Sequence, residues 1–175
     1  WVSDFLDSDN IPGVLLMAAL TPFIMPLIDE SQRSRFEFNT YVYGDSGSGK
    51  SAITKLLVDY FEGSPNIINL HSNKSEIDKI FEYKHCCVAI DDLCGTDSNR
   101  ERENNEQKLS ENLKRVQTPG QIVRDGKRIK NESMLFVTGE YLLKSSSTLN
   151  RCLVVNLKDP IPPKEINKLC RKIGR

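Results

Sequence analysis

A ten-residue stretch at positions 42–51, VYGDSGSGKS, constrains the fold of this chain more than any other feature of the sequence. It fits the pattern G-x-x-x-x-G-K-[ST], in which glycines let the backbone curl so that successive N–H groups point at phosphate oxygens. The N-terminus of the following helix adds a partial positive charge. Such a loop needs a strand before it and a helix after it. Residues 36–43 (FEFNTYVY) predict the strand, and residues 51–61 place apolar side chains at helical spacing.

The motif predicts a nucleotide site with ATP and Mg²⁺ as its ligands. Lys50 is expected to reach the β- and γ-phosphates, and the Ser51 hydroxyl is expected to bind Mg²⁺. The full set of predicted nucleotide-binding residues is Gly44, Asp45, Ser46, Gly47, Ser48, Gly49, Lys50, Ser51 and Ala52. The alternative is a glycine-rich turn that binds no ligand, and the flanking strand and helix argue against it.

Strands and helices alternate along the rest of the sequence. Further strands are predicted at residues 66–70, 86–92, 134–137 and 152–157, and further helices at residues 75–81 and 108–116. Residues 97–107 are strongly polar and are interpreted as a loop or the solvated start of a helix, with no chemistry assigned. The alternation predicts an α/β fold with three layers around a central parallel sheet. We expect an N-terminal helical segment packing on the core at 1–35, the core itself at 36–159, and a basic C-terminal tail or helix at 160–175.

Composition argues against several other classes of protein. Twenty-four basic residues balance 24 acidic ones, so the global charge argues neither for nor against a nucleic-acid partner. The five cysteines form no C-x-x-C pair and there are only two histidines. We therefore expect reduced thiols in a cytoplasmic protein, and no zinc site. The apolar run at residues 11–28 is barely long enough to cross a bilayer and contains three prolines, which favours a helix buried against the core over a membrane span.

Two carboxylates follow a buried strand. The run at residues 86–92, CCVAIDD, is continuously apolar until Asp91 and Asp92, as in strands covered on both faces of a parallel sheet. In a phosphate-loop protein a carboxylate at this place holds Mg²⁺, which makes Asp91 the predicted metal residue. Asp92 would then lie beside the γ-phosphate and polarise the attacking water. The alternative is a pair of exposed carboxylates at the start of a loop.

Two later residues fit the same site. Thr138, in the stretch FVTGE, lies at the tip of the next buried strand, where its hydroxyl could touch both the γ-phosphate and the water. Arg151 lies just before the last strand, on the rim of the sheet. In a ring of subunits such an arginine can project into the neighbour's site and stabilise charge in the transition state. A strand-capping threonine and a surface arginine are the alternatives.

A basic hairpin is predicted at residues 121–130, QIVRDGKRIK, because Asp-Gly is a favoured two-residue hairpin turn. Seven basic residues lie between positions 108 and 130, against two acidic ones. Arg124, Lys127 and Arg128 flank the turn, and basic side chains on a protruding hairpin suit contacts with a phosphate backbone. The alternative is an ordinary solvated turn.

The order of these motifs resembles the AAA+ ATPases, in particular the superfamily III and minichromosome-maintenance-like replicative helicases of plasmids, phages and mobile elements. The resemblance covers roughly residues 11–157 and rests on GDSGSGKS, CCVAIDD, RDGK, FVTGE and LNRCLVV. It implies a three-layer P-loop fold with a β-hairpin inserted before the strand that carries sensor 1. By the same resemblance Lys50, Ser51 and Asp91 bind nucleotide and Mg²⁺, Asp92 is the base, Thr138 is sensor 1, Arg151 is the arginine finger and Lys127 contacts DNA. One departure is Asp92, where such motors commonly carry Glu.

These features together predict the ATPase core of a ring-forming DNA helicase or translocase. Hydrolysis of ATP between subunits of a homo-oligomer, expected to be hexameric, would drive movement on single-stranded DNA, in replication of a mobile element or phage. The chain begins at Trp1 rather than Met, which indicates a fragment. The main rival is an ATP-dependent switch or protein remodeller, such as a loader or defence ATPase. A small-molecule kinase and a non-catalytic nucleotide-binding module are weaker rivals.

Overall fold

The computed structural model describes residues 11–33, 37–62, 67–69, 77–93, 98–116 and 121–158, together with residues 162, 164, 167, 168 and 171. The predicted tail helix at 164–175 and the predicted helix start at residue 75 lie at least partly outside these ranges, as do Cys94 and Cys170.

A parallel sheet of five strands forms the centre of the molecule. The strands of the chain are β1 (Asn39–Tyr43), β2 (Ile67–Asn69), β3 (Lys84–Leu93), β4 (Gln121–Arg124), β5 (Lys127–Lys130), β6 (Glu132–Gly139) and β7 (Cys152–Asn156). The central sheet has the order β2-β3-β6-β1-β7, and all of its pairings are parallel. Strands β4 and β5 pair antiparallel as a separate hairpin directly before β6. The predicted α/β class, the parallel sheet and the inserted hairpin are all confirmed.

Helices cover the sheet and connect its strands. They are α1 (Ile11–Ile24), α2 (Glu30–Arg33), α3 (Lys50–Glu62), α4 (Asn99–Val116) and α5 (Ser146–Leu149), with 3₁₀ turns at Met25–Leu27 and Lys79–Glu82. The predicted helix after the glycine loop is therefore present as α3. The region predicted as helical at 75–81 contains a 3₁₀ turn in its described part.

Two apolar clusters, one on each face of the sheet, produce the three layers. Alternate residues of β6 point to opposite faces, as the period of a strand requires. Leu135 and Val137 join a cluster with Leu109 and Leu113 of α4. Met134 and Phe136 join a second cluster with residues of α1 and α3. The sheet is thus buried on both sides, which explains why its central strands are unbroken apolar runs in the sequence.

Helix α4 begins much earlier than the apolar spacing suggested. It starts at Asn99, so most of the polar stretch at 97–107 is helical. Ser98 caps it, because its Oγ accepts a hydrogen bond from the Glu101 N–H at 3.3 Å. The sequence Ser-x-x-Glu at 98–101 is a capping-box pattern that could have located this start. Near its other end Arg115 forms two hydrogen bonds with Asp78, of 2.7 and 2.9 Å.

Helix α1 is apolar on all sides but buried on only one. Leu15, Ala18 and Ala19 pack on the sheet, whereas Leu16 and Met17 of the outer side are 46% and 60% exposed. The prediction of a buried helix therefore holds for one face of α1. No helix in the described ranges is both long enough and apolar enough to cross a bilayer.

The described cysteines are free thiols. Cys86 and Cys87 are buried in β3, and Cys152 is half-buried at the start of β7. Burial raises the pKa of Cys152 to about 12, against a smaller opposite effect of Arg151. Cys152 is therefore a protonated, packing side chain at neutral pH.

Candidate nucleotide site

The glycine loop lies between the carboxyl end of β1 and the first turn of α3. Gly47 and Gly49 have φ of +80° and +91°, a backbone region in which residues with a Cβ are strained. Gly44 is required for a different reason: a Cβ there would lie 2.5 Å from the carbonyl oxygen of Leu157. Gly44 therefore lets the loop approach the residue that follows β7, whereas Gly47 and Gly49 permit its curled backbone.

The ammonium of Lys50 is buried at the end of the glycine loop. The residue is only 7% exposed. Its Nζ donates to the Asp45 carbonyl oxygen at 2.8 Å and to Ser48 Oγ at 3.4 Å. It forms no ion pair with any carboxylate in the described part of the chain. Since a buried charge is costly unless an opposite charge meets it, this ammonium is suited to an anion bound in the glycine loop.

Three predicted residues meet at the carboxyl edge of the sheet. Asp91 Oδ1 accepts a hydrogen bond from Ser51 Oγ at 3.0 Å and another from Thr138 Oγ1. The residues come from α3, β3 and β6, and parallel strands bring their carboxyl ends to the same edge. Thr138 is 2% exposed, whereas Ser51 is exposed. A carboxylate beside a hydroxyl offers the hard oxygen atoms that Mg²⁺ prefers, so these residues fit that ion.

A bulge in β3 lies at Asp91 and Asp92, opposite Thr138 of β6. Ile90 pairs with Val137 and Leu93 pairs with Gly139, so two residues of β3 stand opposite the single residue Thr138 of β6. Such a bulge re-aims the side chains of the longer strand. The pair opposite Thr138 is Asp91 and Asp92. The backbone of Asp92 belongs to β3, and its side chain lies outside the described part of the structure.

Gly139 leaves room for the Tyr41 side chain next to the site. A Cβ on Gly139 would lie 2.2 Å from the Tyr41 hydroxyl oxygen. That hydroxyl donates to the carbonyl oxygen of Tyr141 at 2.6 Å and therefore cannot retreat without losing its partner. Burial, with smaller contributions from Tyr141 and Glu106, raises the pKa of Tyr41 above its ordinary value, so the phenol remains a donor.

Arg151 lies at the end of the short turn that α5 forms before β7. Its guanidinium donates to the carbonyl oxygen of Ser147 and, at 2.9 Å, to Ser147 Oγ. Among the described residues, no hydrogen bond joins Arg151 to the glycine loop. Within one subunit the side chain thus folds back on its own turn.

The basic hairpin has the geometry that its sequence predicts. Asp125 and Gly126 form the turn with φ of +51° and +73°, the left-handed pair that a two-residue hairpin loop needs. Lys127 and Arg128 are exposed and form no ion pair within the described ranges. Arg124 differs, because its Nη1 lies 2.6 Å from Glu82 Oε1. That hydrogen bond raises the pKa of Arg124, and it ties the tip of the hairpin to the neighbouring 3₁₀ turn at Lys79–Glu82.

Sequence reasoning missed Glu106. The residue is 8% exposed on α4, and its Oε2 accepts hydrogen bonds from the N–H groups of Lys144 and Ser145. The signal in the sequence was its helical spacing from Leu109 and Leu113, which places Glu106 on the buried face of α4. Without the capping box, the polar stretch gave no reason to extend the helix back to it.

Comparisons with known proteins agree with this geometry. The model of the family described as nSTAND3, Novel STAND NTPase 3, matches residues 39–159, which is more than half of the chain. The matched region contains the glycine loop, Asp91, Thr138 and Arg151. A comparison with curated proteins found no match.

Solved structures share the fold. C. elegans PCH-2 superposes with a TM-score of 0.54 and 13% sequence identity, covering 90% of this chain and 44% of that one. The JCV helicase superposes with a TM-score of 0.50 and 13% identity, covering 89% of this chain and 47% of that one. The chain therefore spans less than half the length of either protein. At this level of identity the likeness shows a common three-layer P-loop NTPase fold.

Proposed function

The chain belongs to the nSTAND3 family of NTPases, and from that premise we propose that it is the ATPase core of a ring-forming translocase that moves on single-stranded DNA. The observation that carries the ATPase part is the convergence of Ser51, Asp91 and Thr138 beside the buried ammonium of Lys50. The exposed basic side chains of the hairpin support the DNA part. The fold shared with the JCV helicase is compatible with both.

The site residues divide the work of phosphoryl transfer. Lys50 would neutralise the β- and γ-phosphates, while the N–H groups of the loop orient them. Ser51 and Asp91 would hold Mg²⁺, which would supply further neutralisation of phosphate charge. Thr138, which is already hydrogen-bonded to Asp91, would contact the γ-phosphate through its hydroxyl. Asp92 would polarise the attacking water.

Arg151 is assigned to the neighbouring subunit's site. An arginine that stabilises the developing charge in trans makes hydrolysis depend on assembly. Its bonds to Ser147 are made on an exposed surface, where water can replace them when the side chain extends. We therefore propose a homo-oligomer in the form of a hexameric ring. We propose a reducing, cytoplasmic location from the free thiols of Cys86, Cys87 and Cys152.

The DNA contact is assigned to the hairpin tip. Lys127 and Arg128 are exposed directly after the turn, and Arg124 lies on the opposite strand of the hairpin in register with Lys127. Three exposed cations on one hairpin, of which Arg124 is paired with Glu82, suit the backbone of a single strand, which offers closely spaced phosphates.

The second candidate is an ATP-dependent switch or remodeller of protein partners. One observation favours it: Val123 of the hairpin is 70% exposed, and Arg124 is already bound to Glu82. An apolar residue beside two remaining cations would also suit a protein surface. This candidate shares every nucleotide residue with the first and differs only in what the hairpin touches.

Steady-state ATP hydrolysis at high protein concentration and low salt, with and without single-stranded DNA, tests the proposal. We expect DNA to stimulate turnover, and Lys127→Ala to reduce the stimulation while the DNA-free rate stays unchanged. The control is Lys55→Ala, which removes an exposed cation of α3 instead. Hydrolysis that ignores DNA would favour the remodeller. Absence of turnover at every protein concentration would favour a non-catalytic nucleotide-binding module.

A further inference from the structure

We infer that Glu106 is a positioning residue: it fixes the place of the turn that carries Arg151, relative to the nucleotide site formed by Lys50, Ser51, Asp91 and Thr138. The inference deepens the function proposed above, since it rests on Arg151 acting in a neighbouring subunit's site. It adds a residue of α4, a helix that carries none of the nucleotide motifs.

Glu106 forms hydrogen bonds with the middle of the segment between Thr138 and Arg151. Its Oε2 lies 2.9 Å from the Lys144 nitrogen and 3.2 Å from the Ser145 nitrogen. Both donors are backbone N–H groups, so these hydrogen bonds do not depend on the side chains of residues 144 and 145. Hydrogen bonds to an ionised acceptor are stronger than neutral ones, and burial of the carboxylate protects them from water.

Lys144 and Ser145 directly precede α5, the short helix that leads to Arg151. Ser145 caps α5, because its Oγ accepts a hydrogen bond from the Thr148 N–H at 3.4 Å. The Arg151 N–H then donates to the Thr148 carbonyl oxygen at 3.1 Å. Arg151 lies only six positions after Ser145 in the sequence. A shift of the Ser145 backbone would therefore displace the base of the Arg151 side chain.

The preceding residues of the segment are fixed as well. Tyr141 accepts the hydrogen bond of the buried Tyr41 hydroxyl at 2.6 Å. The guanidinium of Arg102, one turn before Glu106 on α4, lies 5.2 Å from the centre of the Tyr141 ring. Glu106 thus completes a clamp in which α4 holds two points of the segment that follows Thr138. We expect a large effect on rate when the clamp is loosened, since small misplacements of a catalytic group have large effects on rate.

The test is a double-mutant cycle in the ATPase assay at high protein concentration. We expect Glu106→Ala to lower kcat by roughly tenfold with KM for ATP within about twofold, because positioning in the transition state affects kcat and leaves ATP binding intact. In an Arg151→Ala background Glu106→Ala should lower kcat no further, since residues that act through one another are not additive. Glu106→Gln keeps an acceptor oxygen and should restore most of the rate.

Two controls separate positioning from general loss of structure. Glu103→Ala removes an exposed carboxylate from the same helix and should leave kcat unchanged. Amide hydrogen exchange should quicken at Lys144 and Ser145 in Glu106→Ala and remain slow in Glu103→Ala. Where the alanine variant fails to fold, Glu106→Asp replaces it, because aspartate keeps the charge but reaches one methylene less far.

Three outcomes would overturn the inference. In the first, Arg151→Ala lowers kcat and Glu106→Ala does not, which leaves the proposed function intact. In the second, the double variant is slower than Arg151→Ala alone, which means that Glu106 acts independently of Arg151. In the third, Arg151→Ala alone has no effect, so that the arginine role in the proposed function fails and the positioning role fails with it.

Discussion

The nucleotide edge (Lys50, Ser51, Asp91 and Thr138) and the basic hairpin are both built from short sequence motifs. They differ in how far they are buried and in how many hydrogen bonds join them to other elements. At the nucleotide edge Lys50 and Thr138 are 7% and 2% exposed, and Asp91 accepts hydrogen bonds from two other elements. At the hairpin Lys127 and Arg128 are exposed, and Arg124 beside the turn is held by an exposed ion pair with Glu82.

The difference shows what each region is prepared for. Polar groups fixed before the ligand arrives need little rearrangement when it binds, which suits the stabilisation of phosphate charge. The exposed cations of the hairpin keep their hydration and side-chain freedom. They can therefore adjust to a partner that moves along them. The comparison therefore predicts large, specific effects at the nucleotide edge and small, graded ones at the hairpin.

Lys50→Met should give the largest effect. Loss of charge-assisted bonds to phosphate should weaken ATP binding by roughly 10- to 100-fold. The free energy of unfolding of the nucleotide-free protein should not fall, because the change removes a buried charge that lacks a carboxylate partner in the described structure. Titration calorimetry and urea unfolding measure the two quantities, with Lys55→Met as the control. A large loss of stability together with unchanged ATP affinity would contradict the assignment of Lys50.

Glycine substitutions compare the two regions through packing. Gly139→Ala should lower the free energy of unfolding by about 1–3 kcal/mol, since the new methyl group meets the Tyr41 hydroxyl in a closed site. Gly126→Ala meets no atom within 4 Å and should cost only the left-handed backbone of the turn, about 1–2 kcal/mol.

Asparagine separates the two causes. Gly126→Asn should recover part of the stability lost in Gly126→Ala, because asparagine tolerates the left-handed region, whereas Gly139→Asn should be worse than Gly139→Ala. Urea unfolding of the four variants gives the order. Equal losses for alanine and asparagine at position 126 would show that hairpin contacts, rather than backbone conformation, set the cost.

Glu82→Gln should give the smallest effect and sharpen the role of the hairpin. The change frees Arg124 from its exposed ion pair, so single-stranded DNA should bind about two- to fivefold more tightly at low salt, with a steeper salt dependence. Glu132→Gln is the control, since it removes a carboxylate that pairs instead with Lys84 in the central sheet. Fluorescence anisotropy with a labelled oligonucleotide measures the affinity. Weaker binding by Glu82→Gln would mean that the pair orients the hairpin for DNA instead of withholding Arg124.

Local signals located most of the elements. The glycine loop, the apolar runs of β3 and β6, and the Asp125-Gly126 turn lie where the sequence predicted them, because each depends on backbone conformation or periodicity over a few residues. The start of α4 was misplaced because its polar first half lacks the apolar spacing that marks a helix. The long-range bonds of Glu106 and Arg124 were not predictable, since the residues they join lie 38 and 42 positions apart.

By itself, the sequence determined the chemistry of this protein: a glycine loop ending in Lys50 and Ser51, carboxylates after a buried strand, and a basic hairpin before the next strand. Only the tertiary structure decided which of these groups meet. The parallel register and the bulge of β3 bring Asp91 to both Ser51 and Thr138, and α4 brings Glu106 to the segment before Arg151. The physical reason is that motifs report local backbone and side-chain preferences, whereas a contact between distant segments depends on how whole layers pack.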